Sequence, residues 1–235
     1  MAYDMVGLLA RLEDLADDGY REFGEKLTPG GQPALGVRMP LLRGVAREIL
    51  RGDWRAFLEL SRAHPLHEMR MLHAMVLGGA KCPIGGKLEL ADAFLPQVTN
   101  WAVCDCLCSS FKPRKGEESA VFAFVRACAD SEEEFRKRFG LIMMMDYFRE
   151  PPYIGSVMEV YRRFEHPGYY ARMGAAWGLA TLFLYAREEA LAILRDGVWD
   201  EFTHNKAIQK MIESYRVSEA DKALLRGMRR RKGEA

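Results

Sequence analysis

Apolar residues recur along almost the whole chain at spacings of three and four, the period of a helix with one buried stripe. The stretches between these segments are short and carry Gly, Pro, Asp or Asn, and few segments alternate as strands do. The pattern predicts helices at 3–18, 39–50, 53–61, 66–79, 86–95, 99–111, 117–128, 131–148, 151–164, 168–186, 188–196, 199–214 and 218–230. Pro40 suits a first helical turn, Asp53 and Ser131 suit N-caps, and Gly52 and Gly197 suit helix exits. The segment from Thr28 to Pro33 is the clearest loop. Taken in pairs, these helices give a period of roughly 35 to 45 residues, which suits stacked antiparallel hairpins of the HEAT type. A compact all-α bundle satisfies the same pattern. In either case residues 1–235 form one domain, with 226–235 expected as a flexible basic tail.

Composition narrows the class. The chain has 235 residues, 49% apolar and 29% charged, which is ordinary for a folded globular domain. No run approaches the ~20 apolar residues needed to cross a bilayer, so no membrane partner is expected. Five cysteines, an odd number without a secretory signal, point to a reducing cytoplasm. Net charge is +1, which by itself demands no polyanion. Its distribution says more: residues 1–35 carry seven acidic and three basic side chains, whereas residues 204–235 carry nine basic and four acidic ones. A basic face for phosphates and a solvated basic tail both fit that asymmetry.

Several clusters look chemical and fail on geometry. Cys104, Cys106 and Cys108 alternate, but positions two apart on a helix point about 200° apart, so they cannot converge on one metal and read as core. His67 and His73 are six apart rather than the four of a zinc-protease helix, and lie on different faces. His64, His166 and His204 sit near predicted turns, as caps or surface groups. Asp146 ends an apolar helix face, where a terminal hydrogen bond explains it as readily as chemistry does.

Other clusters survive. In Asn100-Trp101-Ala-Val-Cys-Asp105 an indole and a carboxylate stand four apart, on one helix face, inside an apolar segment. A carboxylate there either has a structural partner or lines a site. Trp177 lies in a helix apolar all round, Met173-Gly-Ala-Ala-Trp177-Gly-Leu, where core packing is the default reading. Arg136-Lys137-Arg138 places cations at a predicted helix start, against the macrodipole, so a phosphate partner would rationalise Lys137 and Arg138. Lys206 and Lys210 in Asn205-Lys-Ala-Ile-Gln-Lys210 share a face and could clamp successive phosphates; a solvated face is the plain alternative for both groups.

With Gly36-Val-Arg-Met-Pro-Leu-Leu-Arg43 before them, Asn-Trp-x-x-x-Asp at 100–105, the Ala/Gly-flanked Trp177 and the closing Asn-Lys-Ala-Ile-Gln-Lys resemble, in this order, the AlkD-type DNA alkylation repair family. The resemblance runs from about Leu35 to about Arg230 and is carried by order and spacing. It implies a right-handed superhelix of HEAT-like hairpins that excises positively charged N3- or N7-alkylated purines from duplex DNA, as a cytoplasmic monomer without a cofactor or metal. By the same resemblance Asp105 stabilises developing positive charge at the sugar C1′ and positions water, while Trp101 and Trp177 hold the deoxyribose. Lys137, Arg138, Lys206 and Lys210 are the expected phosphate contacts. The family is also thought to act from the backbone side without a base pocket. Characterised members carry an Arg-Glu pair three and four residues beyond the second Trp, where this chain has Ala180 and Thr181. The alternative reading is therefore a non-catalytic helical-repeat module that binds nucleic acid or protein in the same groove.

Overall fold

A computed structural model describes residues 4–28 and 31–230 of the protein. Arg231 and Lys232 of the expected basic tail lie outside the described residues. Among those described there are fourteen α-helices and no strand. They are α1 (Met5–Asp14), α2 (Asp18–Leu27), α3 (Met39–Ile49), α4 (Trp54–Ser61), α5 (His67–Gly79), α6 (Ile84–Phe94) and α7 (Trp101–Ser110), then α8 (Glu118–Ala129), α9 (Glu134–Tyr147), α10 (Ile154–Arg162), α11 (Tyr169–Leu182), α12 (Arg187–Asp196), α13 (Glu201–Glu213) and α14 (Glu219–Gly227).

The expected helix at 3–18 is α1, which ends at Asp14, and α2 is a further helix that the pattern did not predict. Asp17 Oδ1 accepts the Tyr20 amide at 2.8 Å, so an N-cap within the last residues of the expected helix starts α2. Asp53 caps α4 as its position suggests, and Gly197 leaves α12 in the left-handed conformation. Ser131 does not cap α9: that helix starts at Glu134, and the Ser131 hydroxyl accepts the Glu133 amide in the turn ahead of it. Of the expected tail, residues 226–230 are described, and they are held. Gly227 still closes α14, and Arg230 is tied back by both amide atoms of Asn205, each at 3.0 Å, and donates to the Trp199 carbonyl at 2.8 Å.

The helices fall into two compact units, Met1–Glu117 and Glu118–Ala235. In the first, α3 packs on α5 and α5 on α7, while α4 and α6 also lean on α5. In the second, α8 packs on α9, then α9 on α11 and α11 on α13, with α14 against α13 and α12 touching both α10 and α11. Each unit thus has a helix closed on all sides. From Glu68 to Gly78 every residue of α5 is buried, and so is every residue of α9 from Lys137 to Met145.

Enclosure dictates what the polar residues of α5 and α9 do, because a buried polar group without a partner costs about 1–3 kcal/mol. The Glu68 carboxylate accepts the amides of Leu35, Gly36 and Val37 at 3.1, 2.8 and 3.3 Å and fixes the chain entering α3. His73 shares a 2.8 Å hydrogen bond with the Ser61 hydroxyl and stacks on Phe94; burial pushes its pKa down to about 3. Glu134 repeats the work of Glu68 in the second unit. Its Oε1 accepts the Tyr170 and Ala171 amides at 2.6 and 3.3 Å, satisfying donors at the start of α11.

The Gly and Ala of α11 have a packing reason. A Cβ at Gly174 would come within 3.2 Å of the Arg138 side chain, and one at Gly178 would overlap the Tyr161 hydroxyl. Tyr161 crosses at that spot to donate to the Leu141 carbonyl of α9 at 2.9 Å. The two glycines let α10 and α9 side chains press directly on the α11 backbone.

Candidate functional site

Helix α7 begins at a cap and keeps one stripe open. Asn100 Oδ1 accepts the Val103 amide at 3.0 Å, which sets Trp101 as the first helical residue. Val103, Cys104, Cys106, Leu107 and Cys108 are buried, whereas Trp101, Ala102, Asp105 and Ser109 remain partly or fully open. The indole and the carboxylate therefore share the accessible face of a helix whose opposite face is core, as their spacing predicts. Trp101 is held at its nitrogen, which donates to the Leu27 carbonyl at the end of α2 at 3.3 Å. Burial pushes the neighbouring Cys106 thiol up to about 11, and the Asp105 charge acts in the same direction, so this thiol is neutral and no nucleophile.

Trp177 reverses its default reading. On α11 the residues Gly174, Ala175, Ala176, Gly178, Leu179 and Ala180 are all buried, yet Trp177 is 37% exposed. A large apolar side chain left open among buried neighbours on both sides in sequence is an informative exception. Ala180 fills a buried position here, and the Thr181 hydroxyl bonds back to the Trp177 carbonyl at 3.2 Å. The departure from the resembled Arg-Glu pair is thus absorbed by packing and by the helix itself.

Two of the expected phosphate contacts are corrected. Lys137 is only 7% exposed and Arg138 only 5%. Lys137 Nζ donates to the Glu165 carbonyl at 3.1 Å and lies over the Phe164 ring, and Arg138 donates to the Tyr170 carbonyl at 2.8 Å. Both cations tie α9 to the chain around the α10–α11 connection, so neither presents its charge to a partner. Lys206 and Lys210 differ: both are part-open on α13, with Lys206 Nζ bonded to Gln209 at 3.1 Å.

The other clusters resolve simply. Cys104, Cys106 and Cys108 are core residues. His64 and His166 accept backbone amides in turns, from Leu66 and Gly168. His204, expected near a turn or at the surface, is instead buried within α13 and bonds the Met228 carbonyl at 2.9 Å, helping to hold the segment after α14. Asp146 is the half-open penultimate residue of α9.

An aromatic series in the second unit was missed. Phe135, Tyr170, Tyr169 and Phe202 lie ring to ring at 5.3, 5.3 and 5.8 Å, joining the starts of α9, α11 and α13. The available signal was spacing: Tyr169, Met173 and Trp177 fall at i, i+4 and i+8.

No helix of the described residues is long and apolar enough to cross a membrane. Neither curated proteins nor solved structures give a match to this chain. A family model described as DNA alkylation repair enzyme does match, over residues 8–177, a span that includes the α7 stripe and reaches Trp177. The protein belongs to the DNA alkylation repair enzyme family.

Proposed function

We propose that this protein is a DNA glycosylase that excises positively charged N3- or N7-alkylated purines from duplex DNA. The observation that carries the reading is the open Trp101–Asp105 stripe of α7 within the matched span; Trp177, separately exposed on α11 of the second unit, is its proposed companion. A cationic base is already a good leaving group, so the enzyme mainly stabilises an oxocarbenium-like sugar. The C1′–N bond breaks with its electron pair going to the base, which departs neutral. Water then adds to C1′ and gives its proton to Asp105 or to solvent. The carboxylate and the indole faces both favour the sugar cation, with Trp101 and Trp177 as walls for the deoxyribose. This chemistry requires no metal or cofactor.

Lys206 and Lys210 meet phosphates in this reading, while Lys137 and Arg138 are withdrawn from it. Within each unit the successive packing of α3, α5 and α7, and of α9, α11 and α13, supports HEAT-like hairpins, and the right-handed superhelix is part of the proposal. A cytoplasmic monomer is the accompanying expectation. Ala180 and Thr181 favour a second reading, a module that binds DNA without excising the base.

Release of methylated purine from alkylated duplex DNA, compared between wild type and Asp105→Asn, tests the proposal. The expected result is excision by wild type and a loss of about 100-fold or more in the variant with affinity retained. Binding without release in the wild type would install the second reading.

A further inference from the structure

We propose that Tyr169, with Phe202 and the cations beside it, forms a further DNA contact that takes an unpaired nucleotide, a reading that rests on DNA being the partner. Tyr169 is 52% exposed, yet its ring is held from two sides, by Tyr170 at 5.3 Å and Phe202 at 5.8 Å. An exposed ring already fixed in place loses little freedom when a partner covers it, and the two neighbours make its position part of the fold.

Cations surround the same spot. Arg172 lies 4.6 Å from the Phe202 ring centre and Lys206 Nζ 5.9 Å from it. Phe202, Lys206, Arg230 and the exposed Arg229 line one open groove at the start of α13, with Asp200 and Glu201 as its acidic members. Asp200 shares that groove, but its carboxylate is already occupied by the Thr203 amide and hydroxyl and by Arg172 at 3.6 Å. Cations outnumber carboxylates in this groove, and a held aromatic face beside such cations is the combination by which proteins bind single-stranded DNA, base on ring and phosphate on cation. Paired bases inside a duplex offer no face to such a ring. Tyr169 also lies on the stripe of α11 that carries Trp177, eight residues or about 12 Å away along the axis. The contact therefore extends the proposed DNA face along α11.

Fluorescence anisotropy with a blunt duplex, the same duplex carrying a single-stranded overhang, and an oligothymidylate tests the assignment. Wild type should bind the overhang duplex more tightly than the blunt one. Tyr169→Ala should remove that advantage, about tenfold, with an unchanged melting temperature, and Tyr169→Phe should keep it. Arg229→Ala should weaken all three probes and lower the salt dependence of each. Equal loss on blunt and overhang duplexes in Tyr169→Ala would overturn the unpaired nucleotide as occupant. No loss with Tyr169→Ala, while Lys210→Ala weakens every probe, would overturn the contact and leave the proposed function standing. Failure of the wild type to bind any probe would overturn the proposed function itself, and this inference with it.

Discussion

Of two helices packed on each other in the second unit, α9 encloses Lys137 and Arg138 and α11 leaves its largest aromatic open. Lys137 and Arg138 reach backbone carbonyls around the start of α11, while Trp177 projects from a row of Gly, Ala and Leu. Charge is therefore a poor guide to the partner-facing surface in a helix surrounded by other helices. There the long cationic side chains act as internal ties, and the open position is marked by a residue that has every hydrophobic reason to be covered and is not. The same contrast holds in the first unit, between Glu68 and His73 in enclosed α5 and the Trp101–Asp105 stripe of α7.

The sharpest way to break this contrast is to remove a tie. Arg138→Ala should cost about 3–5 kcal/mol of stability, because it takes a buried, hydrogen-bonded side chain from between α9 and α11. Denaturant unfolding measures it, and a cost below about 1 kcal/mol would put Arg138 back among the surface cations.

Enclosure of α5 predicts an acid response. The folded pKa of His73, about 3, lies below its ordinary 6.5, so the unfolded chain takes up this proton first and stability falls as pH drops from 6.5 toward 3. The contribution approaches ~1.4 kcal/mol per pH unit within that window. Unfolding free energies of wild type and His73→Gln between pH 7 and 4 should diverge in slope, the variant being flatter; parallel curves would mean the imidazole is not enclosed.

Trp177→Ala should fall well below the 3–5 kcal/mol typical of a core Trp, at about 1 kcal/mol, while damaging binding or excision. A core-sized loss of melting temperature with normal affinity per folded molecule would erase the difference between α9 and α11. The smallest stability effect belongs to Lys206→Ala with Lys210→Ala, within about 0.5 kcal/mol. Their signature is electrostatic: the slope of log affinity against log salt should shrink by about two, one per lost phosphate contact. An unchanged slope would move the DNA face away from α13.

Most helices were legible because the apolar period of three and four is a local property; of their ends, the cap at Asp53 was legible, whereas Asn100 caps α7 inside the expected 99–111 and Ser131 caps no helix. Helix α2 was not legible because none of its residues is buried, so it shows no core-facing apolar stripe and only the Asp17 cap marks its start. Trp101 and Asp105 were legible as a pair since their spacing fixes a shared face. What α9 and α11 expose was not legible, because the covering surfaces come from residues about 30 positions away, such as Tyr170 for Arg138 and Glu165 for Lys137. A period shows that a helix has a buried face; it says nothing about a helix that has no other kind. Buried polar residues in such helices read like functional ones until their backbone partners are known.

The fit of Tyr161 against Gly178 has a consequence for how this protein can change over generations. The phenol occupies the space that any side chain at position 178 would need, so the two positions are bound into one inherited unit. Gly178→Ala touches no proposed DNA contact, yet it must push α10 off α11 or turn α11 about its axis, swinging the adjacent indole of Trp177 with it. Mutational drift at 178 is closed while Tyr161 stands, and a lineage that shortens Tyr161 first gains access to it. In a selection for restored function from Gly178→Ala, second-site changes should therefore gather at position 161, on the far side of the helix from the surface they repair.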